Sequence, residues 1–227
     1  MSETLQDFST FSQQNAKVNF SEWLKTRSMD HWDSMINHRF TSDMATNTLP
    51  DTVFKKYLHF EHAFVRSAIT IFSYALAKAP SAGDQDRLVS IVYSLATEQD
   101  KYFQETFRTM GFKDIPLTPS EFKGKAALLR DGAVGIAESC SFLEILSAML
   151  AAEWMYLTWC KKAAVGHATG VRKSWIILHV TPSFRDQVNW MIRRVNELGM
   201  VAPANVQEAC AVHFRNMLEW EIAFHDA

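Results

Sequence analysis

The chain has 227 residues, of which 48% are hydrophobic and 21% are charged, and its formal net charge is −2 at pH 7. A chain of this length can bury one continuous core, and its sixteen Phe and seven Trp supply large side chains to fill it. No segment carries a cluster of Lys and Arg, so the sequence gives no electrostatic footprint for nucleic acid. We therefore expect one domain that does not act on DNA.

The cysteines and the N-terminal residues indicate the cellular compartment in which we expect the protein. Cys140, Cys160 and Cys210 are an odd number, without CxxC or zinc-type partner spacing, which is typical of a reducing environment. Residues 1–19 are polar and lack the pattern of a signal peptide. We expect a cytoplasmic protein in which residues 1–19 are a partly ordered extension of a domain at 20–227.

Helical periodicity dominates the chain, which has only eight Gly and six Pro and no run of strict alternation. This pattern predicts an all-α, single-domain helical bundle. A polar loop is predicted to end at Thr48, and a bend or break is predicted at Asp131-Gly132. Ser120 is a predicted N-cap. The predicted helices, in chain order, lie at about 20–37, 49–78, 84–110, 120–130, 138–165, 171–179, 182–199 and 203–225.

The most apolar stretch runs from Phe142 to Cys160 and is nearly long enough to cross a bilayer. Two acidic residues, Glu144 and Glu153, interrupt it, and a basic pair follows. We interpret the stretch as a central core helix and expect no membrane association.

Three glutamates stand where the helical period places an apolar side chain. Each has large apolar or aromatic neighbours one turn away: Tyr57 and Phe64 for Glu61, Met149 and Tyr156 for Glu153, and Met217 and Phe224 for Glu221. Burying an unpaired carboxylate costs several kcal/mol in order of magnitude. A shared polar pocket would resolve this conflict, so the pattern predicts a site lined by carboxylates.

Four blocks of the sequence resemble the TenA family (thiaminase II, aminopyrimidine aminohydrolases). They cover nearly the whole chain in the family's order. The blocks are Trp32 to Phe64, which contains Asn-His-Arg-Phe and a Leu-Pro turn; MLAAEWMY at 149–156; SWIILHVTPSFRDQVNWM at 174–191; and LEWEIAFHDA at 218–227. The resemblance implies a haem-oxygenase-like bundle without haem or another cofactor, commonly a homotetramer. It also implies hydrolysis of amino-substituted pyrimidines in thiamin salvage.

The family has a cysteine form and a glutamate form, and this chain resembles the second. Ala151 stands at the nucleophile position of the cysteine form, and Glu153 matches the acid of the glutamate form. The resemblance implies that Glu61 matches the Asp that contacts the pyrimidine. Phe64 and His179 stand where the cysteine form has Tyr, and these departures are compatible with a different amine or pyrimidine.

Paired carboxylates can catalyse the hydrolysis of a C–N bond. One with a raised pKa protonates the leaving nitrogen, and an ionised one accepts a proton from water. Our hypothesis is that Glu221 protonates the leaving group and Glu153 accepts a proton from water. The reverse assignment of the two roles agrees with the sequence equally well. Glu61 would bind the ring, Tyr156 would orient a carboxylate or the substrate, and Phe64 and His179 would complete the binding site.

Each residue also has an ordinary structural interpretation. Glu61 and Glu221 could form ion pairs between helices or extend to solvent, and Glu153 could be a buried acid bonded to Tyr or Trp. Phe64, Tyr156 and His179 could be core residues. His38 is predicted to pack or to cap a helix, and Glu98 is predicted to be partly exposed.

Two alternative functions are compatible with the same helical bundle. A metal-dependent oxidase would use the ligand types of Glu61, His62, Glu153, His179 and Glu221, but the pocket faces lack the Glu-x-x-His pairs of di-metal bundles. A non-catalytic pyrimidine-binding or regulatory protein is the third alternative. Our first prediction is a hydrolase that needs no metal and whose partner is a small pyrimidine.

Overall fold

The computed structural model describes residues 7–14, 18–112 and 123–227. Within these ranges it contains twelve α-helices, one π-helical turn and no strand, which confirms the all-α prediction. The helices are α1 (Phe8–Gln14), α2 (Phe20–Arg27), α3 (Met29–Ile36), α4 (Arg39–Thr46), α5 (Asp51–Ala77), α6 (Ala82–Ser94), α7 (Asp100–Thr109), α8 (Lys125–Ser139), α9 (Phe142–Ala163), α10 (Gly170–Leu178), α11 (Pro182–Gly199) and α12 (Ala204–His225). The π-helical turn, Leu95–Gln99, joins α6 to α7.

Helix α9 is the centre of the bundle. It packs against α11 and α12 and also contacts α3, α4, α5, α8 and α10. Sixteen of its 22 residues are buried, as expected for a helix that is apolar on all sides. The core-helix interpretation of this stretch is confirmed, and no helix among the described residues is long and apolar enough to span a membrane.

The N-terminal third differs from the prediction in two places. The helix predicted at 20–37 is interrupted at Ser28, whose backbone N–H donates to the Lys25 carbonyl, so α2 and α3 are separate. The loop predicted to end at Thr48 contains α4. The polar sequence of this segment forms a short amphipathic helix, which buries Phe40 and Met44 at i, i+4 spacing. His38 caps this helix, since its Nδ1 accepts from the Phe40 backbone N–H at 3.2 Å, as predicted.

The break predicted at Asp131-Gly132 is wrong, because α8 runs through both residues. A β-carbon at Gly132 would lie 2.4 Å from the Trp220 ring of α12. This glycine therefore allows two helices to approach closely instead of ending one of them. The predicted N-cap Ser120 lies outside the described residues.

The core helix begins at Phe142 and not near 138, because Cys140 has extended backbone. The Ser141 backbone N–H donates to the Glu144 carboxylate at 2.9 Å, which stabilises the new helix start. The other long helices agree with the prediction to within a few residues. The segment predicted at 84–110 is continuous, but it contains the π-helical turn.

Two alanine substitutions in α8 test the role of Gly132. We expect Gly132→Ala to lower the free energy of unfolding by about 1–3 kcal/mol, because the new methyl group overlaps the Trp220 ring. Gly135→Ala is the matched control, since its β-carbon would meet nothing within 4 Å. Gly135→Ala should raise stability by about 0.5–1 kcal/mol through helix propensity. Urea denaturation followed by circular dichroism measures both, and equal effects would contradict this explanation.

Candidate active site

A cavity of about 210 Å³ lies between α5, α9, α12, the π-helical turn and the start of α11. Its volume is below the roughly 300–1,000 Å³ of sites for drug-sized ligands, which favours a small molecule. The structure places all six residues predicted for the site on its wall: Glu61, Phe64, Glu153, Tyr156, His179 and Glu221. Their placement together agrees with the sequence argument, and their roles in binding and catalysis stay predictions.

The three glutamates reach the cavity from three different helices. Glu61 lies on α5, Glu153 on α9 and Glu221 on α12. Glu61 is 6% exposed and Glu221 is 1% exposed, whereas Glu153 is half-buried. Each follows the apolar face of its helix into the interior, because residues three and four positions apart share one face. The ion pairs considered for Glu61 and Glu221 are absent among the described salt bridges to Lys or Arg.

Burial disfavours the ionised form of all three acids. It raises the pKa of Glu61 from 4.5 to about 7, although hydrogen bonds from Tyr57 and Tyr156 oppose the rise. Burial, followed by the charge of Glu61, raises the pKa of Glu153 to about 8. Burial and the charges of Glu61 and Glu153 raise the pKa of Glu221 well above its usual range. At neutral pH the group therefore holds protons, and Glu61 is the acid that ionises most readily.

Glu221 has an unsatisfied carboxyl oxygen. Its Oε2 is buried and has no hydrogen-bond partner among the described residues. His225 Nδ1 lies 3.7 Å from this oxygen, beyond hydrogen-bond range, and donates instead to the Glu221 carbonyl at 2.8 Å. Burial lowers the pKa of His225 to about 3, so its ring is neutral. The oxygen thus needs either its own proton or a donor from a bound molecule.

Two tyrosines link α5 to α9 beside the cavity. The hydroxyls of Tyr57 and Tyr156 lie 2.9 Å apart, and the Tyr156 hydroxyl donates to Glu61 Oε2 at 3.4 Å. Burial raises the pKa of both phenols well above the usual value, so both keep their protons. The pair orients Glu61 and partly stabilises its charge.

His179 forms an aromatic wall with Tyr156. The two rings stack with centroids 4.9 Å apart, and Trp175 meets the His179 ring edge-on at 4.3 Å. His179 Nδ1 donates to the Trp175 carbonyl at 2.9 Å, which leaves Nε2 as an acceptor. Burial lowers the pKa of His179 to about 4, so the ring is neutral. Phe64 lies on the cavity wall and its ring centroid is 6.2 Å from that of Phe224.

Sequence reasoning missed the polar rim of the cavity. The rim comes from the end of α6, the π-helical turn and the first turns of α11, and its residues are Ser94, Glu98, Gln99, Thr181, Ser183 and Gln187. Glu98 is exposed and accepts from the Ser94 hydroxyl at 2.8 Å, in agreement with its predicted exposure. A π-helical turn is invisible to a 3.6-residue period, although such turns are frequent at functional sites.

The ligand set of the metal-dependent alternative is only partly gathered. Glu61, Glu153, His179 and Glu221 line the cavity, but His62 does not, and its Nε2 lies 3.4 Å from Asp100. Within the described residues, the wall of the cavity has no three such ligand atoms within 4.8 Å of one another. The structure therefore gathers four of the five suggested ligands on the cavity wall and places His62 elsewhere.

Comparison with known proteins identifies a family and several proteins that are similar to this chain. A model of the TENA/THI-4/PQQC family matches residues 26–227. The chain is 30% identical over 98 residues, 42% of its length, to hydroxymethylpyrimidine/phosphomethylpyrimidine kinase THI20 of Saccharomyces cerevisiae, and the match spans 18% of that protein. This chain therefore corresponds to only a small part of the yeast protein.

Solved structures share the fold. A TenA homologue from Pyrococcus furiosus superposes with a TM-score of 0.83 at 21% identity and covers 91% of this chain and 98% of its own. A TenA family transcription regulator from a Silicibacter species has a TM-score of 0.81 at 14% identity, with 91% and 95% covered. A putative TenA-like thiaminase from Sulfolobus solfataricus has a TM-score of 0.75 at 16% identity, with 92% and 95% covered. At these identities the likeness establishes the helical fold.

The raised pKa of Glu61 predicts a dependence of stability on pH. Between pH 4.5 and about 7 the unfolded chain has lost this proton and the folded chain keeps it, so stability falls as pH rises. With about 1.4 kcal/mol per pKa unit, the full loss is on the order of 3 kcal/mol. Glu61→Gln should therefore gain stability relative to the parent at pH 8 and little at pH 4.

Denaturant titrations at pH 4, 6 and 8 measure this difference. Glu105→Gln, at an exposed position on α7, is the control and should follow the parent at every pH. A Glu61→Gln variant whose stability parallels the parent across the series would contradict a buried, protonated Glu61.

Proposed function

Because the chain belongs to the TENA/THI-4/PQQC family, we propose that it is a hydrolase of thiamin-pyrimidine salvage. It would remove the amine, or a formylamine, from an aminomethylpyrimidine. The observation that carries the proposal is the meeting of three glutamates from three helices, two of them buried and one half-buried, around one small cavity. Two of the similar proteins support a pyrimidine ligand. One is named a hydroxymethylpyrimidine/phosphomethylpyrimidine kinase, and the other is named a putative TenA-like thiaminase.

Substrate binding would rest on Glu61 and the aromatic wall. With a pKa of about 7, Glu61 is the most readily ionised of the three acids, and its carboxylate can accept from the exocyclic amino group of the ring. The Tyr156 hydroxyl, donating to Glu61 Oε2, holds that carboxylate in place. The flat faces of Phe64 and His179 offer stacking surfaces for a planar heterocycle.

The chemical step replaces a C–N bond with a C–O bond. Glu221, protonated at neutral pH, gives its proton to the leaving nitrogen while the bond to the exocyclic carbon breaks. A water molecule attacks that carbon and passes a proton to Glu153, so the products are the hydroxymethyl compound and ammonia, or formamide from the formylated substrate. The net change on the protein is one proton moved from Glu221 to Glu153, which exchange with solvent reverses.

The base must first be ionised. Glu153, with a pKa of about 8 in the free chain, holds a proton at pH 7. A neutral substrate amine that accepts a hydrogen bond from protonated Glu221 carries partial positive charge, and this charge beside Glu153 would favour its ionised form and lower that pKa. Its partial exposure at the cavity also gives its proton a route to water. Substrate binding would thus set the protonation states that the reaction requires.

We also propose that the chain represents the glutamate form of the family. Ala151 occupies the position of the nucleophile of the cysteine form, and no cysteine lines the cavity among the described residues. Cys160, one turn beyond Tyr156, is fully buried in the core. A cytoplasmic homotetramer, common in the family that the sequence resembles, completes the proposal.

The decisive assay follows release of ammonia from an aminomethylpyrimidine and of formamide from its formylated counterpart. We expect Glu153→Gln and Glu221→Gln to lower kcat at least about a hundredfold, because each removes a proton-transfer group without changing side-chain volume. Glu219→Gln is the matched control, since Glu219 lies on the same helix and is exposed. It should retain the parent rate.

Three experimental results would contradict the proposed function or the proposed roles of the glutamates. Near-normal turnover in both active-site variants would remove these glutamates from the mechanism. Tight binding of the pyrimidine without release of product would favour the non-catalytic binding protein. Stoichiometric iron in the purified protein, together with oxygen-dependent turnover, would favour the oxidase.

A further inference from the structure

A second cluster of titratable side chains lies outside the cavity. Cys140 stands between α8 and α9, Glu144 is in the first turn of α9, and His213 faces them from α12. One ligand atom from each residue lies within 4.8 Å of the others, and all three side chains are half-buried. None of the three lines the cavity described above. The proposed hydrolase chemistry therefore gives this cluster no role.

His213 Nε2 contacts both of the other side chains in the cluster. It lies 3.6 Å from Glu144 Oε1 and 3.6 Å from Cys140 Sγ, the second distance being within hydrogen-bond range for sulfur. Tetrahedral zinc bonds of about 2.0 Å to N and O and 2.3 Å to S place neighbouring ligand atoms roughly 3.3–3.5 Å apart. The two distances from His213 Nε2 are close to these values, and all three ligand atoms lie within 4.8 Å of one another.

The start of α9 orients the Glu144 carboxylate within the cluster. The second oxygen of Glu144 accepts from the Ser141 backbone N–H at 2.9 Å, which orients Oε1 towards the cluster.

We propose that Cys140, Glu144 and His213 bind a zinc ion, with water in the fourth position. Sulfur, imidazole nitrogen and carboxylate oxygen form a donor set that suits Zn²⁺ better than Mg²⁺ or Ca²⁺. On binding, the Cys140 thiol loses its proton to solvent and its sulfur bonds the metal. The thiolate and the carboxylate then balance the two charges of the ion. Sequence spacing could not indicate this site, because His213 is far from Cys140 along the chain.

Such a zinc ion would fix the register of the two helices that carry the proposed acid and base. Glu144 precedes Glu153 on α9 by nine residues, and His213 precedes Glu221 on α12 by eight. At 1.5 Å per residue these spans are about 12–14 Å in the same direction along two packed helices. A metal bridge between the first turn of α9 and the middle of α12 would therefore hold Glu153 and Glu221 level with each other.

Metal titration of the chelator-treated full chain tests the proposal. We expect one Zn²⁺ per chain by calorimetry, with one proton released when the titration is repeated in buffers of different ionisation enthalpy. Co²⁺ should give a thiolate-to-cobalt charge-transfer band. Cys140→Ala should abolish this band and weaken zinc binding by at least about tenfold, given that even outer contacts of a metal site are worth 10–100-fold.

Cys160→Ala is the matched control, because it removes the thiol of a buried cysteine near the other end of α9 and leaves the cluster intact. It should keep the stoichiometry, the cobalt band and the zinc-induced rise in Tm of the parent. His213→Gln is the second ligand variant and should lose the rise in Tm. Zinc binding that is equal in Cys140→Ala, His213→Gln and the parent, or that is lost equally in Cys160→Ala, would overturn the proposal. These readouts do not depend on hydrolase activity.

Discussion

The constraint on which this structure depends is the burial of three carboxylic acids in an apolar bundle. Ionised, each would lose several kcal/mol of hydration, in order of magnitude. The fold resolves the conflict by grouping Glu61, Glu153 and Glu221 around one cavity and raising the pKa of each, which favours the neutral form. The same grouping that makes the charged state unfavourable supplies proton donors at neutral pH. Stability and chemistry are therefore linked through the same pKa shifts.

The aromatic side chains give these acids different environments. Tyr156 donates to Glu61, so this carboxylate ionises first, whereas Glu221 Oε2 has no hydrogen-bond partner in the described part of the chain and retains its proton. Different pKa values among neighbouring acids allow one to give a proton and another to take it. His179 is held neutral by burial and adds a flat wall instead of a charge. The site is thus tuned by burial and hydrogen bonds, with no contribution from lysine or arginine on the cavity wall among the described residues.

Helical period and apolar pattern predicted the all-α class, the long helices and the inward direction of the glutamates. They failed where local sequence and tertiary packing disagree. Gly132 looks like a helix breaker but admits the Trp220 ring, and the polar segment after His38 folds as α4 because Phe40 and Met44 find a core to enter. Residues that close the cavity rim, such as Gln99, belong to a π-helical turn that interrupts the regular period.

By itself the sequence determined which residues face inward, because that depends only on spacing along a helix of fixed period. It also carried the motifs of the family to which the chain belongs. Only the tertiary structure decided which inward residues meet. Contacts between α5, α9 and α12 join positions far apart in the chain, as do those between Cys140 and His213. Such distances are set by the packing of whole helices, and no local pattern encodes them.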